Sequence, residues 1–86
     1  MHERTRIGHY LEVERLPERH GYKTRAWNVV SISSGDYLGN IMWFGRWRQY
    51  TFNPAVMSTF NHSCLLEISD FLKKCNREHR QGKHNA

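Results

Sequence analysis

The chain has 86 residues, of which 38% are hydrophobic and 13% aromatic, and its formal net charge is +5 at pH 7. This length allows one domain with one hydrophobic core, and a charged fraction of 24% argues against intrinsic disorder. The longest apolar run, residues 41–44, is far shorter than the roughly 20 residues that cross a bilayer. No apolar leader follows Met1, so we expect a cytoplasmic protein without membrane contact, whose two cysteines are reduced.

Four segments in the first two thirds of the chain have the pattern of β-strands. Residues 9–14 alternate apolar and charged side chains. Residues 25–33 are rich in the β-branched and aromatic residues that favour strands. Residues 37–44 form the third predicted strand, and a tight turn at residues 45–46 connects it to the fourth, residues 47–52.

An amphipathic helix follows these strands. From Cys64 to Cys75 the apolar residues recur at helical spacing and form one stripe, while charged residues such as Glu67 occupy the far side. Asn61 and Ser63 are the two candidates for the N-cap.

Strands followed by a single helix predict an α+β domain. We expect an antiparallel meander of three to four strands, with the C-terminal helix packed on one face. The domain is predicted to span residues 9–79, with flexible ends at residues 1–8 and 80–86.

Alternation of side chains along the strands divides the aromatic stretch 38–52 between two faces of the sheet. Tyr37 is expected to share a strand face with Ile41. The helix is predicted to cover the face that bears the large apolar residues Ile41, Trp43, Tyr50 and Phe52. The opposite face, here called the open face, then shows Asn28, Asn40, Met42, Trp47 and Gln49.

The open face has side chains suited to contact with DNA or RNA. Arginine binds phosphate bidentately, asparagine and glutamine read adenine, and an exposed tryptophan stacks on an unpaired base. Between Tyr37 and Leu66 the only charged residues are Arg46 and Arg48, so no acidic side chain repels a polyanion there. We predict that arginines contact phosphates and that the other residues contact bases. The predicted contact residues are Arg25, Asn28, Asn40, Arg46, Trp47, Arg48 and Gln49.

The alternative is a protein-interaction surface with no nucleic-acid role. Leu38, Met42 and Phe44 give the predicted open face an apolar component, and Leu66 lies outside the helix stripe. Tryptophan and arginine are also enriched at interface hot spots. The partner would be a host protein or a second copy of the chain in a homodimer.

The sequence contains no catalytic or metal-binding signature. Cys64 and Cys75 are eleven residues apart, roughly 16 Å along one helix, which is too far for a disulfide or a shared zinc ion. Glu12 and Glu14 lie two residues apart on one face of a strand. A carboxylate pair of this kind is far more common as solvated strand residues than as a catalytic pair. There is no phosphate-binding loop and no dinucleotide fingerprint. We therefore predict no enzymatic activity, no cofactor and no metal.

A longer pattern runs from Trp27 to Leu72. It reads W-x-V, a Ser-Gly-Asp turn, L-G-x-I-x-W, W-R-x-Y-x-F-x-P and L-x-E-I-x-x-F-L. The matching residues are Trp27, Val29, Ser34, Gly35, Asp36, Leu38, Gly39, Ile41, Trp43, Trp47, Arg48, Tyr50, Phe52, Pro54, Leu65, Glu67, Ile68, Phe71 and Leu72. This pattern, over about residues 23–75, resembles that of a family of small uncharacterised proteins of bacteriophages and bacteria. The resemblance implies an accessory protein in a phage or prophage context and implies no particular activity.

The order of elements also resembles the DNA-binding domains of plant ethylene-response factors and of some phage-type integrases. Those domains dock a three-stranded sheet in the major groove of a duplex. This likeness is one of topology, and it adds duplex DNA to the possible partners.

Overall fold

A computed structural model describes residues 3–18, 21 and 23–82 of the chain. Within these residues the elements are β1 (Arg4–Arg6), β2 (Leu11–Arg15), β3 (Trp27–Ser31), β4 (Tyr37–Phe44), β5 (Gln49–Pro54) and α1 (His62–Arg80). Each strand pairs antiparallel with the next, so the order in the sheet follows the order in the chain. The predicted α+β meander with a C-terminal helix is confirmed, although the sheet has five strands rather than three or four.

The additional strand, β1, lies within residues 1–8, where we predicted a flexible end and no element. Its three side chains are all exposed, so the segment has no apolar alternation that a sequence pattern could detect. The strand is held by backbone pairing with β2 and by Arg4, whose guanidinium lies 3.3 Å from Glu12 and 3.6 Å from Glu14. At the other end of the chain α1 continues to Arg80, and residues 83–86 of the predicted flexible end lie outside the described residues.

The core lies between α1 and one face of the sheet. The fully or nearly fully buried side chains of this layer are Leu11, Val13, Trp27, Val29, Ile41 and Tyr50 from the strands and Ile68 and Cys75 from the helix. Trp43 and Phe52 pack against this cluster. The prediction that the helix covers the face bearing Ile41, Trp43, Tyr50 and Phe52 is therefore confirmed.

Asn61, one of the two predicted candidates, is the N-cap of α1, and its side-chain oxygen accepts a hydrogen bond of 2.9 Å from the Cys64 N–H.

The residues of α1 that contact the sheet differ from the predicted apolar stripe at both of its margins. Ile68 and Cys75 lie at the centre of the contact and are buried. Leu65 lies at one margin and is half exposed, because the contact with the sheet is narrower than the apolar stripe.

Glu67 lies at the other margin of the stripe, and its predicted place on the solvent side of the helix is wrong. Its carboxylate accepts hydrogen bonds from three successive backbone amides, those of His9 (3.0 Å), Tyr10 (3.3 Å) and Leu11 (3.0 Å). A Cβ added at Gly8 would collide with the carboxyl carbon of Glu67. The turn before β2 is thus fixed to the helix by a charged group.

A β-bulge in β4 changes which side chains face the helix. Val29 pairs with Gly39, but Val30 pairs with Tyr37, so Leu38 is an extra residue in the ladder. Leu38 packs against the core, and the Tyr37 hydroxyl instead lies 3.3 Å from the Asn40 side chain. Tyr37 and Leu38 therefore each lie on the face opposite to the one predicted. A prediction that assigns side chains to alternate faces does not account for an inserted residue.

Candidate nucleic-acid interface

The hairpin between β4 and β5 is longer than predicted. Phe44 pairs with Gln49, and residues 45–48 form a four-residue loop, here called the hairpin loop. The Trp47 N–H donates to the Phe44 carbonyl at 3.1 Å, and the Arg48 N–H donates to the Gly45 carbonyl at 3.2 Å. The predicted turn of two residues is wrong, since these two overlapping bonds place Arg46, Trp47 and Arg48 together in the loop.

The hairpin loop presents its side chains to solvent. Trp47 is 63% exposed, and both neighbouring arginines are exposed. The indole is oriented by Phe44, which meets it edge to face at a centroid distance of 4.9 Å. Arg48 holds a left-handed backbone with a φ of 54°, a conformation that is costly for a residue with a Cβ. The loop therefore positions one large exposed ring between two cations.

A row of polar side chains crosses the open face through all five strands. The register aligns Arg4, Glu14, Asn28, Asn40 and Asn53 in one line. Asn28 donates to the Glu14 carboxylate at 3.2 Å, and Asn53 donates to the Asn40 side-chain oxygen at 3.1 Å. The three asparagines, here called the amide row, are thus held in defined positions on the open face.

Charge is unevenly distributed over the open face. The described acidic side chains on it, Glu12 and Glu14, both belong to β2 and both lie within 4 Å of the Arg4 guanidinium. The part formed by β3, β4 and β5 carries amide, hydroxyl and apolar side chains, and no charged residue occurs in the described residues of those strands. The positive charge of this region is supplied by the hairpin loop.

The end of α1 adds positive charge near the hairpin loop. The His79 ring lies 4.3 Å from the Trp43 ring, which brings the last turn of the helix to the end of β4. Arg77 and Arg80 belong to that turn and are exposed. Clustered cations of this kind raise the local concentration of a polyanion and its rate of association.

Arg25 does not lie with the other predicted contact residues. It precedes Trp27 by two residues, so both side chains face the helix, and both line a cleft beside Cys75. The Arg25 backbone N–H donates to the Tyr50 hydroxyl at 3.1 Å. The expectation that Arg25 belongs to the open face is wrong. Arg25 lies two residues before Trp27, so the alternation of side chains already predicts that both lie on the helix side of the sheet.

The alternative interaction residues do not form one surface. Leu38 packs against the core, and Leu66 is exposed on α1, in the other layer of the molecule. Met42 and Phe44 remain on the open face, where Met42 pairs with Thr51 and is half buried. The structure therefore divides this set among the core, the open face and the helix.

Two further residues belong to the open face. Tyr37 is 50% exposed and contacts Asn40 through its hydroxyl, so it adds a second accessible ring near the amide row. Asn53 follows Phe52 and was detectable by extending the alternation of β5 by one residue. Tyr37 was not detectable in this way, because its position depends on the bulge at Leu38.

The titratable groups with resolved shifts lie in the core and not on the open face. Burial raises the pKa of the Cys75 thiol to about 12, and the nearby Glu78 carboxylate adds to this effect. Burial likewise raises the pKa of Tyr50. Among residues 3–18, 21 and 23–82 no group of three or more potential metal ligands is found, and no helix is long and apolar enough to span a membrane.

No protein-family model, no curated protein and no solved structure matches this chain. The geometry and charge of the open face are therefore the basis on which a function is proposed.

Proposed function

We propose that this protein is a non-enzymatic accessory protein that binds single-stranded nucleic acid through the open face and the hairpin loop. The observation that carries the proposal is the exposed indole of Trp47 between Arg46 and Arg48, at the end of the uncharged part of the open face formed by β3, β4 and β5. The phage or prophage context is supported by the sequence resemblance described above.

The dimensions of the open face suit a short stretch of unpaired nucleotides. Phe44 lies four positions after Asn40 along β4, which corresponds to about 13 Å at the rise of a strand. Bases would stack on Trp47 and Tyr37, and the amide row would offer donors and acceptors to base edges between these rings. The arginines of the hairpin loop would bind the phosphates at one end.

A single strand is favoured over a duplex by the small number of cations. Proteins that bind duplex DNA through its backbone neutralise many phosphates, whereas the part of the open face formed by β3, β4 and β5 has two cations, both in the hairpin loop. Stacking on an exposed ring also requires an unpaired base, since bases in a duplex already stack on one another. A face rich in rings and amides therefore fits unpaired nucleotides better.

The proposal is tested by measuring the affinity of the folded protein for short single-stranded and duplex oligonucleotides as a function of salt. With about 0.7 counterions released per contact, two arginine contacts predict a slope of about −1.4 for log K against log salt concentration. Arg46→Ala/Arg48→Ala should remove this slope and weaken binding. Trp47→Ala should weaken binding by about 1–3 kcal/mol with the slope unchanged, because stacking is not ionic.

The matched control is Lys23→Ala/Lys73→Ala, which removes the same charge at exposed positions outside the strands and the hairpin loop. This variant should lose little affinity. The absence of binding at micromolar protein would overturn the proposal, as would equal losses in the two double variants. A steeper dependence of log K on log salt concentration, together with tighter binding of duplex, would show that the proposed preference for single-stranded nucleic acid is wrong.

A second candidate function, binding of a protein partner, is favoured by a separate observation. Val56 and Met57 are 92% and 93% exposed, and Leu65 and Leu66 on α1 are exposed as well. Val56 and Met57 are neighbours in the chain, as are Leu65 and Leu66, and exposed apolar residues that lie together are typical of interaction sites. Light scattering tests self-association, and Met57→Ser/Leu66→Ser should abolish any dimer while leaving nucleic-acid affinity unchanged.

A further inference from the structure

A cleft of about 180 Å³ lies between the β1–β3 side of the sheet and the second half of α1. It opens there because the helix backbone approaches β5 more closely than the other strands. Its walls include the apolar side chains of Val13, Trp27 and Phe71. We call it the helix-side cleft, and it lies in the layer opposite to the open face.

The lining of the helix-side cleft is positively charged. Arg15, Arg25 and Lys74 are positive and Glu78 is negative, so these four side chains carry a net charge of +2. Three cations against one carboxylate leave the lining with an excess of positive charge. This excess favours an anionic ligand.

Arg25 provides the most specific observation in the cleft. Its Nε is buried and has no hydrogen-bond partner, and no ion pair to its guanidinium is found among the described residues. Buried donors in proteins are nearly always paired, so the unpaired Nε shows that the Arg25 guanidinium, which lines the cleft, still lacks an acceptor within the described residues. Its backbone N–H is fixed by the Tyr50 hydroxyl, which holds the start of β3 in place.

The other two cations have partners that an incoming anion can replace. Arg15 lies 3.1 Å from Glu18, a side chain that is 69% exposed, and exposed ion pairs contribute little stability. Lys74 lies 4.0 Å from Glu78, at the outer limit of an ion pair. Both cations can therefore turn toward a ligand at small cost.

The size of the cleft restricts the ligand to a small group. Sites for drug-sized molecules occupy about 300–1,000 Å³, well above the volume found here. Guanidinium groups bind tetrahedral phosphoryl oxygens bidentately, and an ammonium adds a point charge. We propose that the helix-side cleft binds a phosphoryl dianion, either inorganic phosphate or the terminal phosphate of a monoester, with Arg25 as its central ligand. This site shares no residue with the open face and does not depend on the function proposed above.

The site is tested by titrating inorganic phosphate into the folded protein and recording ¹H–¹⁵N spectra. Saturable shifts are expected at the indole of Trp27 and at the amides of residues 25–27 and 74–78, with little change at Trp47. Acetate at equal ionic strength should shift these signals less, because it carries one charge. A 5′-phosphorylated oligonucleotide, compared with its unphosphorylated form, distinguishes a terminal phosphate on nucleic acid from free phosphate as the source.

Arg25→Gln should weaken phosphate binding at least tenfold, while Arg46→Gln, the matched change in the hairpin loop, should leave it unchanged. Lys74→Gln provides a second test at a helix position whose side chain is 57% exposed, where folding is not at risk. Non-saturating shifts at millimolar phosphate would overturn the proposal. Unchanged affinity for phosphate in both Arg25→Gln and Lys74→Gln would overturn it as well. This outcome is independent of whether the open face binds nucleic acid.

Discussion

The carboxylate of Glu67 on α1 accepts a hydrogen bond of 3.0 Å from the backbone N–H of Leu11, the first residue of β2. The same carboxylate accepts from His9 and Tyr10, so a single side chain satisfies three adjacent amides of the turn that joins β1 to β2. Hydrogen bonds to a charged acceptor are stronger than neutral ones. This contact links the first hairpin of the sheet to the helix, across more than fifty residues of sequence.

We therefore expect Glu67→Ala to destabilise the protein by about 2 kcal/mol, since a hydrogen bond to a charged group contributes about 1.5–3 kcal/mol. Urea unfolding followed by circular dichroism measures the change. Asp70→Ala removes the same charge from an exposed position of α1 and should cost less than about 0.5 kcal/mol. Equal losses in the two variants would show that the contact with the turn contributes nothing.

Gly8 and Glu67 should be energetically coupled. A methyl group at position 8 would displace the Glu67 carboxyl group, so Gly8→Ala should cost nearly as much as Glu67→Ala. In the Glu67→Ala background there is no carboxyl group to displace, and Gly8→Ala should then be neutral or stabilising by up to about 1 kcal/mol. A double-mutant cycle measures this coupling, and additive losses would contradict it.

Gly39 is the second position at which the absence of a side chain is required. Its φ is 148°, and an added Cβ would collide with the Asn53 carbonyl oxygen and the Phe52 ring. We expect Gly39→Ala to destabilise the protein by about 3 kcal/mol, from backbone strain and the forced separation of β4 from β5. Gly45→Ala is the control, because a Cβ there has no atom within 4 Å and should leave the melting temperature nearly unchanged.

The sequence predicts those parts of the fold that follow from periodic burial. Ile41 and Tyr50 are buried as alternation predicts, and Asn61 caps the helix as its residue type predicts. In each case the signal is local, because burial on one face of an element repeats with the period of that element. The α+β architecture follows from these local signals alone.

Features that depend on distant contacts were not predictable in the same way. β1 is held by pairing and by Arg4 rather than by buried side chains, so its sequence carries no apolar period. The bulge at Leu38 reverses the faces of Tyr37 and Leu38 because the partner strand sets the register. Glu67 has the sequence context of a solvated residue, and its role depends on a turn far away in the chain. The positions of Asn28 and Asn40 in the candidate interface were predictable. Asn28 lies in β3 and Asn40 follows the bulge in β4, so simple alternation assigns both to the open face.

The two cysteines should differ strongly in reactivity. Cys75 is 2% exposed, and burial raises the pKa of its thiol to about 12, so it holds little thiolate at neutral pH. Cys64 is half buried in the first turn of α1. We expect a disulfide reagent to modify Cys64 rapidly in the native protein. Cys75 should react only after unfolding, since the thiolate is the reacting species. Cys64→Ser should abolish the rapid phase, and rapid modification of Cys75 in the folded protein would contradict this assignment.

The stability of the fold should decline at alkaline pH because Cys75 and Tyr50 both have raised pKa values. In the unfolded chain these groups release protons near their ordinary values of 9.0 and 10.0, while in the folded chain they retain them to higher pH. Above about pH 9 the unfolded state therefore binds fewer protons than the native state, and stability falls as pH rises. The slope reaches at most about 1.4 kcal/mol per pH unit for each group.

Cys75→Ala isolates the contribution of the thiol to this slope. The variant should be less stable than the parent at pH 7, because it removes a buried atom, but its stability should fall less steeply between pH 9 and the folded value of about 12. Val13→Ala is the matched control, since it also removes buried atoms and carries no titratable group, and its slope should equal that of the parent. The measurement is the free energy of unfolding by urea at a series of alkaline pH values. If the Cys75→Ala slope equals the parent slope, the buried thiol does not link folding to proton release, and among the described residues with raised pKa values Tyr50 then remains to account for the decline.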